Sequence, residues 1–201
     1  MSVKRFRSIK PEIRVLGVDD GVFVPHKKGM VDIIGVVYRG GYWLDGVMRT
    51  EIELDGMDAT EKIAQMILDS PHYKQLRVIM LNGITFAGFN VVDIKQLYEK
   101  VGLPVIAVSR EKPDLKKIKK ALENLPFFEE RWKAIEKAGK TLEMHTRNDS
   151  ESIFVQYVGI SQKDVEKILK VTCMQSNIPE ALRVAHIIAS GLSKLREKEE
   201  T

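Results

Sequence analysis

The chain has 201 residues, 44% of them hydrophobic and 30% charged, a composition that fits a globular protein with one sizeable core and an appended element. Its 32 Lys and Arg against 28 Asp and Glu leave a net charge of +4, compatible with a phosphate backbone as ligand without demanding one. No apolar run is long enough to span a bilayer, the N-terminus lacks a signal-peptide core, and the single Cys173 excludes an internal disulfide or a cysteine-based zinc site. A reducing, cytoplasmic setting away from membranes is the expectation.

Residues 1–12 form a basic lead-in. Ile13–Asp19 reads as a strand buried on both faces, because Val15, Leu16 and Val18 do not alternate with polar residues. It ends in two adjacent carboxylates, Asp19 and Asp20, before Gly21. Like charges at this spacing repel, and a desolvated carboxylate needs hydrogen-bond donors, a partner charge or a metal ion. Asp20-Gly21 also reads as a plain turn dipeptide. A loop carrying His26, Lys27 and Lys28 follows, a possible backbone contact for a nucleic acid or simply an exposed segment.

Val31–Tyr38 and Tyr42–Leu54 are strands joined through Gly40-Gly41, so the chain opens as an antiparallel three-strand meander. Asp45 before Gly46 suggests a bulge rather than a ligand. Asp58 then opens a helix, with Glu61 at the position of a capping box and Ile63, Met66 and Ile67 on its apolar stripe. Leu76–Leu81 is a fourth strand, Asn82–Asn90 a loop, Val91–Val101 a helix and Leu103–Val108 a fifth strand. Alternation of this kind implies parallel strands joined by right-handed crossovers. The remainder, 113–201, reads as helices at Pro113–Leu125, Phe127–Ala138, Ser161–Val171 and Ile178–Lys198, with edge strands at Lys140–His145 and Ser152–Val158. Arg147–Glu151 reads as an exposed loop tip. All 201 residues are expected in a single domain.

A meander followed by helix, strand, helix, strand is the element order of the ribonuclease H-like α/β fold, a mixed sheet flanked by helices. Asp19 and Asp20 end the first strand, Asp55 and Asp58 sit where the third strand meets the first helix, and Asp93 follows the fourth-strand loop. If these ends converge, the acids form a cluster suited to Mg²⁺ or Mn²⁺, with positions left for water and phosphate. Asp58 reads equally as a helix cap, and Asp93 as a residue favouring a helix N-terminus. In the loop after Asn82, Phe86 and Phe89 sit among glycines and could stack on an extruded base or plug the core beneath, while Thr85 or Asn82 could bond a base edge. Arg183 and His186 share a helix face, with Arg183 either holding phosphate or forming a structural ion pair. Cys173 is expected to be buried and inert.

Val15-Leu-Gly-Val-Asp-Asp-Gly21, Asp55-Gly-Met-Asp-Ala-Thr60, the long block Leu81-Asn-Gly-Ile-Thr-Phe-Ala-Gly-Phe-Asn-Val-Val-Asp93, Gly102-Leu-Pro-Val-Ile-Ala-Val108 and Ser176-Asn-Ile-Pro-Glu-Ala-Leu-Arg-Val-Ala-His186 resemble the archaeal DUF99, or endonuclease dU, family. That family in turn resembles endonuclease V, a Mg²⁺-dependent ribonuclease H-like enzyme that nicks nucleic acid near deaminated bases. The resemblance implies an endonuclease and DNA-repair function on DNA holding deoxyuridine or another deaminated base. It matches Asp19 or Asp20 to the first-strand acid and Asp55 or Asp58 to the second, with Asp93 to supply a third charge, so catalysis is expected on Asp19, Asp20, Asp58 and Asp93 and metal on Asp19, Asp55 and Asp93. Substrate contacts would come from Asn82, Thr85, Phe86, Phe89, Arg183 and His186. Asn82 stands where endonuclease V has an aspartate, and the Pro-Tyr-Ile-Pro segment of that enzyme is absent. A catalytically weak nucleic-acid-binding module is the alternative; a nucleotide-binding regulatory domain lacks a phosphate-cradling motif.

Overall fold

β1 (Arg14–Asp20) lies inside a seven-stranded sheet because its central run, Val15 to Val18, is apolar and buried on both faces, with its charged residues at the two ends. The computed structural model describes residues 6–24, 29–147 and 151–199, with side chains of the last helix to residue 193. His26, Lys27 and Lys28, and most of the expected loop tip at 147–151, lie outside the described residues.

β2 (Met30–Arg39) and β3 (Trp43–Glu53) complete the antiparallel meander through Gly40-Gly41. Asp45 is the extra residue of a bulge in β3, as expected, and its carboxylate is held by Arg14 at 3.0 Å and Arg39 at 2.8 Å. α1 (Ala59–Leu68) leads to β4 (Val78–Asn82), which pairs in parallel with β1. The following loop contains a small hairpin, β5 (Thr85–Phe86) with β6 (Asn90–Val91). α2 (Ile94–Val101) therefore starts later than the sequence pattern suggests, with Asp93 as its cap. β7 (Val105–Ser109) pairs in parallel with β4.

α3 (Leu115–Leu122) and α4 (Phe128–Lys137) form a helical hairpin, then β8 (Leu142–His145) and β9 (Ser152–Val158) extend the sheet, β9 antiparallel to β7 and β8 antiparallel to β9. α5 (Gln162–Thr172) and α6 (Glu180–Glu199) end the chain. The strand order is β3-β2-β1-β4-β7-β9-β8, the mixed sheet expected of the ribonuclease H-like arrangement.

Apolar side chains on the two sheet faces form separate cores. Leu16, Val18, Ile33 and Ile79 pack with α1 and α2 on one side. Val15, Met80, Ile106 and Val155 pack with α5 and α6 on the other. Because β1, β4 and β7 are parallel, their C-terminal ends share one edge, where ligands of open α/β sheets gather. Asp19, Asp20, Asn82 and Ser109 all lie at that edge. Among the described residues, no helix is long and apolar enough to cross a membrane.

Candidate metal and nucleic-acid site

Side chains alternate along a strand, so the two acids leave β1 from opposite faces, yet at the strand end their carboxylates stay close enough for Asp19 to raise the Asp20 pKa. Asp19 continues the row of Val15 and Gly17 beneath α6, and Asp20 continues the row of Leu16 and Val18 on the α1–α2 side. Gly17 is what lets α6 lie so close. A Cβ there would stand 2.3 Å from the carbonyl carbon of Ala181. One turn further along α6, His186 reaches Asp19.

Asp19 is only 1% exposed, and its carboxylate accepts three hydrogen bonds. Asn82 Nδ2 donates to Oδ1 at 2.8 Å and the Asp20 N–H donates to the same oxygen at 3.0 Å, while His186 Nδ1 lies 2.9 Å from Oδ2. Burial raises the Asp19 pKa, against the lowering effect of Asn82, the Asp20 amide and His186. The His186 side chain is 62% exposed, and its Nε2 has no partner among the described residues.

Asp20 Oδ2 accepts a 2.6 Å bond from the Ala87 N–H. Burial pushes Asp20 up to about 7, the Ala87 bond opposing and the Asp19 charge assisting. Near neutral pH the two acids titrate as a pair that holds on to a proton.

The 83–90 loop joins this pair to the end of β3. Ala87 O accepts from the Asp55 N–H at 2.9 Å, and Asp55 Oδ1 accepts from the Phe89 N–H at 2.8 Å. Asp55 and Ala87 both adopt positive φ, 52° and 42°, a conformation costing an ordinary residue about 1–2 kcal/mol and tolerated where the surroundings over-determine it. Gly88 has φ 80°, and a Cβ on it would strike Asp55 Oδ1 at 2.3 Å.

Asp58 occupies the cap position of α1, but its side chain makes no cap bond, so the expected capping box is not formed. Its Oδ1 accepts instead from Asn90 Nδ2 at 2.7 Å and the Glu53 N–H at 3.2 Å. Asn90 Oδ1 holds the Ala59 N–H in its place. Asp93 caps α2 through the Lys95 and Gln96 amides and pairs with Lys137 Nζ at 2.6 Å.

Asp19, Asp20, Asn82 and His186 thus come together, with Asp55 and Asp58 tied to the adjoining loop and Asp93 spent as cap and ion pair. Among the described residues, no group of three or more His, Cys, Asp or Glu side chains is arranged to hold a metal ion. The cluster of Asp19, Asp55 and Asp93 is therefore not assembled, because turn and cap bonds occupy the last two. What remains is a buried carboxylate, Asp19, a half-buried one, Asp20, that repels it, and the carbonyl oxygen of Asn82. That hard oxygen set fits one Mg²⁺ or Mn²⁺ of the kind held by one or two carboxylates and completed by water and substrate phosphate.

Phe86 is fully buried in the α1–α2 core and is not available for stacking. Phe89 is half-buried and packs against the small core of Val91, Leu122, Ala134 and Ile135, and Thr85 is half-buried in β5. Arg183 pairs with Glu180, itself 1% exposed, at 2.6 Å, so its guanidinium neutralises a buried acid. Cys173 is buried, and burial pushes its thiol up to about 12.

Sequence reasoning missed Asn90 and Arg131. Arg131, 1% exposed, donates to four backbone carbonyls: Pro126 (3.0 Å), Gly56 (2.9 Å), Asp55 (2.5 Å) and Phe89. Within Glu-Glu-Arg-Trp-Lys it reads as one more surface charge. Asn90 carries the better signal, an amide between two apolar residues in a glycine-rich loop.

The endonuclease dU family model matches residues 11–193. A UPF0215 protein of Methanosarcina mazei is 53% identical over 185 residues, covering 92% of this chain and 93% of its own. The crystal structure of a protein of unknown function from Archaeoglobus fulgidus superposes with a TM-score of 0.80 at 36% identity, covering 90% of this chain and 98% of that one. Ciona intestinalis endonuclease V, solved with a 24mer DNA containing an inosine followed by a ribo-adenosine, superposes with a TM-score of 0.60 at 16% identity. It covers 92% of this chain and 87% of that one, a likeness of fold.

Proposed function

This chain belongs to the endonuclease dU family, and on that premise we propose that it is a divalent-metal-dependent endonuclease that hydrolyses phosphodiester bonds in DNA at or beside deaminated bases, deoxyuridine foremost. The observation that carries the reading is the Asp19–Asp20 pair at the C-terminal end of β1, with Asp19 buried and Asn82 and His186 closed around it. Such a pair pushes itself toward protonation unless a cation offsets it.

Asp19, Asp20 and the Asn82 oxygen would hold the ion. When bound, it supplies positive charge against the phosphate and the negative charge that develops there. Asp19 fixes His186 through Nδ1, which directs Nε2 to solvent, where it can take or give a proton at the attacking or leaving oxygen. Asn82 donates to Asp19 through nitrogen, and among the described residues no donor takes up its oxygen, which leaves that oxygen for an ion. The Asp55–Phe89 bond holds the loop through which a base extruded beside the scissile bond would be met.

Asn82, where endonuclease V has an aspartate, favours the second reading, a nucleic-acid-binding module with little turnover. Nicking assays separate the two. Duplex and single-stranded oligonucleotides with deoxyuridine, deoxyinosine or no lesion are incubated with Mg²⁺, Mn²⁺ or chelator, alongside Asp19→Ala. Metal-dependent nicking at the deaminated base, lost by about 10²-fold or more in Asp19→Ala, is the expected result. Folded protein that binds but never cleaves decides for the module.

A further inference from the structure

We infer that the outward face of α3 is a tracking surface for the phosphate backbone of the nucleic acid, beside the Asp19 site. α3 reads Leu-Lys-Lys-Ile-Lys-Lys-Ala-Leu. At 100° per residue, Lys116, Lys117, Lys119 and Lys120 share one side, while Leu115, Ile118 and Leu122 share the other. Leu122 is fully buried and Ile118 packs beside it, so the four lysines, all exposed, face solvent. Arg110 and Lys112, also exposed, extend the basic run from the end of β7, against Glu111 and Asp114.

The usual reading of such a run is a solvated helix face. Two observations set this one apart. First, the lysines are little neutralised. Among the described residues the only carboxylate pairing is Lys117 with Asp114, at 3.8 Å between side chains 87% and 50% exposed, and Lys119 lies 5.2 Å over the Trp132 ring. A loose pair of that kind holds negligible energy, so the charge is available to a ligand. Second, the helix stands where a backbone leaving the site would pass. It follows β7 at the sheet edge that carries Asp19, Asp20 and Asn82, and its apolar side packs with α4 in the same small core that takes up Val91 and Phe89, next to the loop that binds Asp20 and Asp55. The connection from Ser109 to Leu115 spans at most roughly 20 Å, so α3 starts within a short run of phosphates of the edge that carries Asp19.

Lysines at successive positions of a rigid helix neutralise phosphates as point charges and read no sequence. The surface therefore supplies affinity and register, and the loop and Asp19 site supply selection. The inference rests on the proposed nucleic-acid function of that site, but it concerns binding rather than turnover.

The test is fluorescence anisotropy with an undamaged labelled duplex in chelator, so that cleavage plays no part, across a series of salt concentrations. Lys116, Lys117, Lys119 and Lys120 are all changed to Gln. A control changes four exposed lysines elsewhere, Lys62, Lys163, Lys167 and Lys170, to Gln, giving the same loss of net charge. In the α3 variant the slope of log K against log salt is expected to fall by about 3–4, and affinity at about 0.1 M salt by tenfold or more. The control should change affinity by less than about threefold, and an all-arginine α3 variant should keep the wild-type slope. Equal small losses in both glutamine variants would reduce the surface to a contribution of net charge and overturn the inference. So would α3-dependent binding to phosphatidylserine vesicles with duplex binding unchanged. If α3 carries the slope but no substrate is ever nicked, the binding surface stands and the nuclease reading falls. Nicking with no α3 dependence would leave the nuclease reading standing and overturn the surface.

Discussion

At the scale of single residues, Asn82 decides how Asp19 behaves. Its amide N–H donates into a carboxylate that is otherwise buried with a like charge beside it, so it offsets part of what burial costs Asp19. Replacing it with aspartate removes the donor and adds a third negative charge at the same point. Asn82→Asp is expected to lose about 1–3 kcal/mol of stability in chelator. Because a third carboxylate strengthens a hard-cation site, most of the loss should return with Mg²⁺ or Mn²⁺. Denaturant unfolding with and without the ion reads both effects. An equal loss in either condition would mean that position 82 does not face the ion. Gly88 is the other sensitive point. Alanine there combines a positive φ with a Cβ 2.3 Å from Asp55 Oδ1, so Gly88→Ala should cost about 2 kcal/mol or more and free the Phe89 amide for exchange.

At the scale of elements, the site depends on two close fits that hold helices to the sheet edge. Gly17→Ala would press on the Ala181 backbone and lift α6 from β1, drawing His186 away from Asp19. A loss of roughly 1–3 kcal/mol with a larger loss of nicking is expected. Arg131 does the corresponding work for α4. Arg131→Met would strip donors from carbonyls of Asp55, Gly56, Phe89 and Pro126, at a cost of about 3 kcal/mol or more. Hydrogen exchange should show protection lost first at Phe89, while protection in β1 persists. Uniform loss would make Arg131 part of the global core instead. These two fits mark where sequence reading stops. Strand and helix periodicity, the Asp45 bulge and the pairing of acids at the end of β1 follow from local pattern, and they were legible. The partners were not, because Asn90 capping α1 across 31 positions, or Arg131 reaching a turn 76 positions away, is set by tertiary packing alone. Phe86 and Phe89 look alike in sequence, and only the register of the β5–β6 hairpin sends Phe86 inward.

At the scale of the whole molecule, the Asp19–Asp20 pair links stability, pH and metal. Asp20 holds its proton up to about 7 in the folded protein, whereas an unfolded aspartate releases it near 3.8. Between those values the folded state binds more protons, so stability falls as pH rises through the window. The favourable contribution is fully present below about pH 4 and gone above about pH 7. Without metal, the difference attributable to Asp20 between pH 5 and pH 8 should be on the order of 2 kcal/mol, after discounting for partial exposure and for coupling to Asp19. Asp20→Asn should flatten that part of the profile. A divalent cation competes with the same proton, so its stabilising effect has the opposite slope. At pH 5.5 the proton weakens ion binding about 30-fold relative to pH 8, which makes the gain from a saturating Mg²⁺ or Mn²⁺ concentration smaller by about 2 kcal/mol. Unfolding curves at both pH values, each with ion and with chelator, measure the difference directly. The ion should rescue most at the pH where the apo protein is weakest, and a gain that is equal at the two pH values would place the ion away from Asp20.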